Sequence, residues 1–403
     1  MIIVDSRATT GLLSLRALAT AAEYLIMRGL GYWKDGVVAY LLSDLSQSKF
    51  ATLGVSNCSN SLGLINNEGQ RECLLLVDGM GINALEIVSK ELPIFSQVKN
   101  HNQLQATFPS TTSASLTSLG TGCAVGVHGM VGYTMRVPNS GTPERLLNAL
   151  KWDERVDPYI WQSEATLFER AKKQGVKVSH IAAKRYEETG FTRAALRGAD
   201  YYGVNQVDEM VDQAKSALSN TRSFAYLYLN DVDDASHREG LGSEKFHYAM
   251  AKSADLILKL IENLPKGSRL WVTSDHGMIN RDDFVVLGKE NDLLKNVELL
   301  GGEPRVRYLY LKPGSVEETK SQWQEFFKEK VTLYTRQEAI ALNLFGPEVL
   351  DKNMERIGDL IAIANGEFIM VESERQELQL SMVGHHGGIT QAEIAIPLLS
   401  ADI

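Results

Sequence analysis

Four short apolar runs recur along the chain, and each gives way to a polar or glycine-containing turn followed by a helical pattern. They are CLLLVDGMG (73–81), KVSHIAA (177–183), FAYLYLND (224–231) and RLWVTSDHG (269–277). A run that is apolar without alternation needs cover on both faces, so these segments read as parallel strands with helices above and below. The fold class expected is a three-layer α/β/α sandwich around a central, mostly parallel sheet. In such sheets ligands collect outside the carboxyl ends of the strands, which makes the polar residues just after each run the ones to examine.

The region 288–375 has a different texture. RVRYLYLKPG is strand-like, SVEETKSQWQEFFKEKV is an amphipathic helix, and DLIAIANGEFIMV looks like two strands around Asn365-Gly366, a hairpin dipeptide. The expected organisation is therefore a core over 41–287 and 376–403, an α+β cap or insertion over 288–375, and an N-terminal helical extension over 1–40. Residues 133–165, with Pro138, Pro143 and Pro158, form a long excursion from the core. Contacts to the organic part of any ligand are expected from this excursion and from the cap.

Composition excludes several roles. The 403 residues are 44% apolar and 23% charged, as in an ordinary folded protein, and the formal charge is −9. A nucleic-acid polymer would be repelled, because binding one needs clustered Lys and Arg. A small phosphorylated substrate is still admitted, since metals or helix N-termini can dominate the field inside a cleft. Cys58, Cys73 and Cys123 are odd in number and lack a CxxC spacing, so they suggest neither a disulfide framework nor a thiolate zinc site. The apolar stretch TGLLSLRALATAAEYLIMRGLGYW is interrupted by Arg16, Glu23 and Arg28 and follows no basic n-region. No membrane span or export signal is expected, hence a cytoplasmic location.

The polar residues at the run ends form a pattern. Asp78 follows CLLLV; alone it is an ordinary helix cap. FPSTTSASLTSLGTG (108–122) places hydroxyls at the positive end of a helix, which suits either a plain cap or a nucleophile carrying a phosphate. In NDVDDASHREG, Asp233 and His237 stand four apart, a spacing that puts them on one helical face or brings them together round a turn, and they offer a donor pair suited to zinc. Asp275-His276-Gly277 closes the last run, and GHHGGITQAEIAIPLL (384–399) sets His385 and His386 between glycines. Together Asp78, Asp233 and Asp275 with His237, His276, His385 and His386 supply enough N and O ligands for two zinc-like ions.

In this order, LLLVDGMG, FPSTTSASLTSLGTG, DVDDASH, VTSDHG and GHHGGITQAEIAIPLL resemble the alkaline phosphatase superfamily, most closely its type I phosphodiesterase/nucleotide pyrophosphatase branch. The resemblance spans about residues 73–399. It implies two Zn²⁺ ions, with Mn²⁺ an alternative divalent metal, and a covalent phosphothreonine intermediate. One ion would be held by Asp233, His237 and His386, the other by Asp78, Asp275 and His276. The nucleophile falls at Thr112, with Thr111 the near alternative, and His385 is left to line the mouth. The branch has an Asn that helps hold a phosphate oxygen, where VHGMVGYTM offers Gly132 and Tyr133; a Tyr133 hydroxyl could donate a comparable hydrogen bond. The implied activity is metal-dependent hydrolysis of phosphodiester or nucleotide pyrophosphate bonds. A phosphomonoesterase, phosphonate hydrolase or phosphomutase on the same scaffold is the alternative, and a non-catalytic phosphoryl-ligand binder a further one.

Overall fold

The computed structural model describes residues 40–62, 71–101, 104–142 and 144–403, and the helical extension expected at the N-terminus lies, up to residue 39, outside the described residues. Within Tyr40–Ile403 the central element is a seven-stranded sheet. Its spatial order is Lys99–Asn100, Leu398–Asp402, Ser268–Thr273, Arg71–Val77, Ser223–Leu229, Lys177–Ala182 and Asp200–Gly203. The last five run parallel to one another, and Leu398–Asp402 is antiparallel to Ser268–Thr273. The four apolar runs of the sequence are thus four neighbouring parallel strands.

Their composition follows from cover on both faces. Leu74, Leu76, Phe224, Tyr226 and Trp271 point into one buried cluster with Phe50 and Phe168. Cys73, Leu75, Val77, Leu227, Leu270 and Val272 point into a second, with Phe246, Ile257 and Leu260 of the helix Glu244–Asn263. Each fully buried leucine contributes about 1.5–3 kcal/mol, which anchors the strand ends against the cost of crowding acids there.

The cap region builds a four-stranded antiparallel sheet in the order Val297–Glu303, Val306–Leu311, Leu360–Ala364 and Val331–Thr335. The helix Val316–Phe327 covers it through Trp323 and Phe327. Here the hairpin reading of DLIAIANGEFIMV needs correction. Gly366 does turn the chain, at φ +54°, but the flanking strands do not pair. Leu360–Ala364 is buried at every residue and takes partners on both edges, which leaves Phe368–Glu372 to run parallel to Asp283–Leu287. Among the described residues, no helix is long and apolar enough to cross a membrane.

Candidate active site

Three adjacent strands of the central sheet end together. Val77 lies beside Leu229 and Leu76 beside Thr273, so Asp78, Asn230 and the Asp275-His276 turn emerge on one edge. The helix Asp231–Glu239 starts one residue beyond Leu229, after Asn230, and presents Asp233 and His237 one turn apart. Gly79 adopts φ +72°, a left-handed conformation open to glycine, and its N–H donates to Asp275 Oδ1 at 3.3 Å. At Gly277 a Cβ would lie 2.0 Å from the Ala392 carbonyl, so only glycine lets this turn pack against the segment after His386.

Thr112 opens the helix Thr112–Thr121, all ten of whose residues are buried. Thr111 is its N-cap residue, but the Thr111 side chain does not cap the helix; it donates to Glu303 Oε2 at 3.4 Å. His386 arrives from the far end of the chain, its loop bridged to Ser110 through Gly387.

The side chains form two groups of potential metal donors, Asp78/Asp275/His276 and Asp233/His237/His386, each with ligand atoms within 4.8 Å of one another. In the first, His276 Nε2 stands 3.3 Å from Asp78 Oδ1, 3.5 Å from Asp275 Oδ2 and 3.2 Å from Thr112 Oγ1. In the second, Asp233 Oδ1 lies 3.3 Å from His237 Nε2 and 3.8 Å from His386 Nε2.

All three imidazoles commit their other nitrogen to a backbone carbonyl. Nδ1 donates to Gly277 O at 3.2 Å in His276, to Gly384 O at 2.8 Å in His237 and to Ser110 O at 2.9 Å in His386. A neutral imidazole that donates from Nδ1 presents only a lone pair at Nε2. Each such lone pair faces a carboxylate oxygen, and Asp78 Oδ1, Asp233 Oδ1 and Asp275 Oδ2 are buried with no hydrogen-bond partner among the described residues. Acceptor against acceptor at this range repels, and a cation between them removes the conflict. The residues therefore fit a divalent ion in each group, in a hard-to-borderline N/O donor set, with the carbonyl bonds orienting the rings.

The titration shifts have the same origin. Burial first, and the neighbouring Asp275 and Asp233 carboxylates next, push the Asp78 carboxyl well above its usual range. Burial is the largest cause raising Asp233 and the largest holding His386 well below the usual imidazole value. Tyr228 donates its hydroxyl to Asp78 Oδ2, which leaves Oδ1 directed to the His276 side.

A cavity of about 140 Å³ adjoins Asp78, Thr112 and Asp233. Its walls are apolar at Leu116, Leu150, Phe191 and Leu196 and polar at His180, Tyr186, Thr189, Thr192, Tyr228 and Asn230. Among the described residues lining it, Leu150 comes from the excursion and none from 288–375. The segment 180–196 supplies much of the lining, because the strand Lys177–Ala182 pairs with Ser223–Leu229.

Of the residues singled out in the sequence, Asp78, Thr112, Asp233, His237, Asp275, His276 and His386 come together, with Thr111 behind Thr112. Tyr133 is not among the residues lining the cavity. His385 is buried rather than at the mouth, edge-on to His237 at 6.4 Å with Nε2 3.2 Å from the Met382 carbonyl, and burial pushes its pKa down to about 3. Glu303 and Tyr228 were not anticipated. Glu303, at the end of a cap strand, is pushed up to about 8 by burial and lies 3.9 Å from His386 Nδ1. No local pattern marks it, whereas Tyr228 sits in a strand run whose end was already under scrutiny.

Sequence comparison matches residues 73–389 to the family described as type I phosphodiesterase / nucleotide pyrophosphatase. No curated protein sequence matches the chain. Among solved structures, murine ectonucleotide pyrophosphatase / phosphodiesterase 5 superposes with a TM-score of 0.65 at 18% identity, covering 82% of this chain and 88% of that one. An inactive variant of the same murine protein in complex with AMP gives 0.64 at 18% identity over 82% and 87%. Phosphonoacetate hydrolase from Sinorhizobium meliloti 1021, in complex with phosphonoformate, gives 0.62 at 18% identity over 83% and 90%. At this identity the structural likeness is one of fold, a mixed α/β arrangement around a large, mostly parallel central sheet.

Proposed function

Because this chain belongs to the type I phosphodiesterase / nucleotide pyrophosphatase family, we propose that it hydrolyses phosphodiester or nucleotide pyrophosphate bonds of small substrates, with Thr112 as the nucleophile. The observation that carries this is the set of three buried carboxylate oxygens, unpartnered among the described residues, that face imidazole nitrogens around the Thr112 hydroxyl. Asp78, Asp275 and His276 would hold one divalent ion and Asp233, His237 and His386 the other, Zn²⁺ or a metal such as Mn²⁺. When bound, such ions supply Lewis-acid charge that favours the alkoxide of the nucleophile and offsets charge on the leaving oxygen.

The chain's own residues do the rest. Thr112 stands at the first position of its helix, where unpaired amides and the helix dipole favour both an alkoxide and a phosphoryl group. Its Oγ1, having given up its proton, attacks phosphorus; the Thr–O–P bond forms as the bond to the leaving oxygen breaks and that oxygen takes up a proton, giving a phosphorylated Thr112 that still carries the substrate's other organic group. Water then cleaves that ester and returns the hydroxyl. Tyr228 orients Asp78, and the Gly277, Gly384 and Ser110 carbonyls keep the three imidazoles in the tautomer that can ligate. His276 acts as a ligand rather than a lone general base, since its Nε2 faces two carboxylate oxygens as well as Thr112.

The test is substrate profiling of metal-loaded protein. Turnover of bis-p-nitrophenyl phosphate well above that of p-nitrophenyl phosphate is the expected result. A preference for the monoester, or cleavage of phosphonoacetate instead, moves the assignment to the phosphatase or phosphonate hydrolase alternative on this scaffold.

A further inference from the structure

The segment His386-Gly387-Gly388 is held by a single residue of the nucleophile's loop. Ser110, fully buried and two positions before Thr112, makes four hydrogen bonds to it. Its N–H donates to Gly387 O at 3.3 Å, and its carbonyl accepts from His386 Nδ1 at 2.9 Å. Its hydroxyl donates to Gly388 O at 2.7 Å and accepts from the Gly387 N–H at 3.2 Å, so the side chain is used both as donor and as acceptor.

Two glycines are the backbone least able to hold the imidazole before them still, because glycine loses more conformational freedom on ordering than any other residue. Stiffer residues do not fit here. A Cβ at Gly387, which adopts φ +120°, would lie 2.8 Å from Glu303 Cδ, and one at Gly388 would lie 2.5 Å from Glu393 Oε2. The segment is therefore fixed from outside, by Glu393, which accepts from the Gly388 N–H at 2.8 Å, and by Ser110. The His386 ring itself lies flat against His276, with centroids 3.7 Å apart and planes 12° from parallel. Stacking sets the plane of a ring but not the direction of its edge. That direction is left to the chain behind it, where Ser110 bonds.

Resting on the proposed two-ion centre, we infer that Ser110 is a positioning residue: its hydroxyl pins the two glycines and so aims His386 Nε2 at the ion held with Asp233 and His237. The residue touches neither substrate nor ion. It ties the geometry of that ion's site to the loop that carries the nucleophile.

Titration of chelator-treated protein with Zn²⁺, in competition with a chromophoric chelator, reads the affinity of each ion. In Ser110→Ala one of the two affinities falls about 10- to 100-fold, the scale of losing a group that orients a ligand, and the other stays within about three-fold of wild type. His386→Ala weakens the same ion, and adding Ser110→Ala to it gives no further loss, because the hydroxyl acts through that imidazole. Ser110→Thr keeps the hydroxyl and recovers most of the affinity. Ser110→Cys, of similar shape but a weak donor, replaces Ser110→Ala should the latter misfold. Equal weakening of both ions, unchanged affinities, or a loss that adds to that of His386→Ala overturns the inference and leaves Ser110 as polar packing. Wild type that binds no Zn²⁺ ends the two-ion reading and the inference with it. Wild type that binds Zn²⁺ but cleaves no ester fails only the hydrolytic reading, and the titration still decides the role of Ser110.

Discussion

Stripping the metal should destabilise this protein in a way that depends on pH, because the centre is built from groups that conflict without a cation. Asp78, Asp233 and Asp275 each bury a carboxylate oxygen that has no partner among the described residues, and the Asp78 and Asp233 carboxyls are raised above their usual range chiefly by burial. A carboxyl whose folded pKa is raised contributes stability that is present at low pH and lost as pH rises through the folded value. His386 is shifted the other way, so its effect is felt only below about pH 6.5, where an unfolded imidazole takes up a proton. Above that pH the carboxylates set the sign: metal-free protein gains no stability as the pH rises, and loses up to about 1.4 kcal/mol per unit for each carboxyl until the pH passes that carboxyl's raised folded value. Saturating an ion site at about a thousand times its dissociation constant returns about 4 kcal/mol. At roughly 2 °C per kcal/mol for a chain of this size, each site raises the melting temperature by about 8 °C. Scanning calorimetry of chelator-treated protein, with and without Zn²⁺ at pH 6.5 and 8, measures both quantities. In Asp78→Asn, which removes one charge from the conflict, metal-free protein melts no lower than wild type and the gain on adding Zn²⁺ is about halved. If stripped wild type melts at the same temperature with and without metal at both pH values, the three oxygens are satisfied in some other way and the two-ion centre is wrong.

Other substitutions test separate parts of the argument. Thr112→Ala lowers turnover at least ~10³-fold while metal content stays at the wild-type level, and no phosphopeptide containing residue 112 is found by mass spectrometry after a quench; a phosphopeptide that persists moves the nucleophile to Thr111. Asp275→Ala abolishes hydrolysis but leaves a folded protein by circular dichroism, and retained turnover in a metal-free preparation counts against the centre. Arg305 forms a fully buried pair with Glu393, Nε to Oε1 at 2.8 Å and Nη2 to Oε2 at 2.9 Å, and Glu393 also accepts from the Gly388 and Thr390 amides beside His386. Arg305→Met leaves that carboxylate uncompensated, so urea denaturation should show a loss of about 3–5 kcal/mol; a loss under about 1 kcal/mol means the pair does not tie the cap sheet to the His386 loop.

Local chemistry made much of this legible before any coordinates. A run such as CLLLV is apolar on both faces, so its strand must be covered twice, and Asp78 at its end must emerge at a sheet edge. The same logic placed Asp275 and His276, and the four-residue spacing of Asp233 and His237 put them on one helical face. What was not legible depends on partners distant in the chain. Glu303 ends a cap strand and Arg305 lies in the turn that follows it, neither with a local mark, and they matter because of Thr111, His386 and Glu393, between 83 and 192 residues away. His180 is an unremarkable strand residue until the cavity it lines is known. Asn365-Gly366 turned the chain as its residue types require, yet the strands on either side chose other neighbours. Side-chain period and turn chemistry act within a few residues and determine which groups point the same way. Which strand lies next to which, and therefore what lines the space beside Thr112, is settled by burying every face of the whole chain at once.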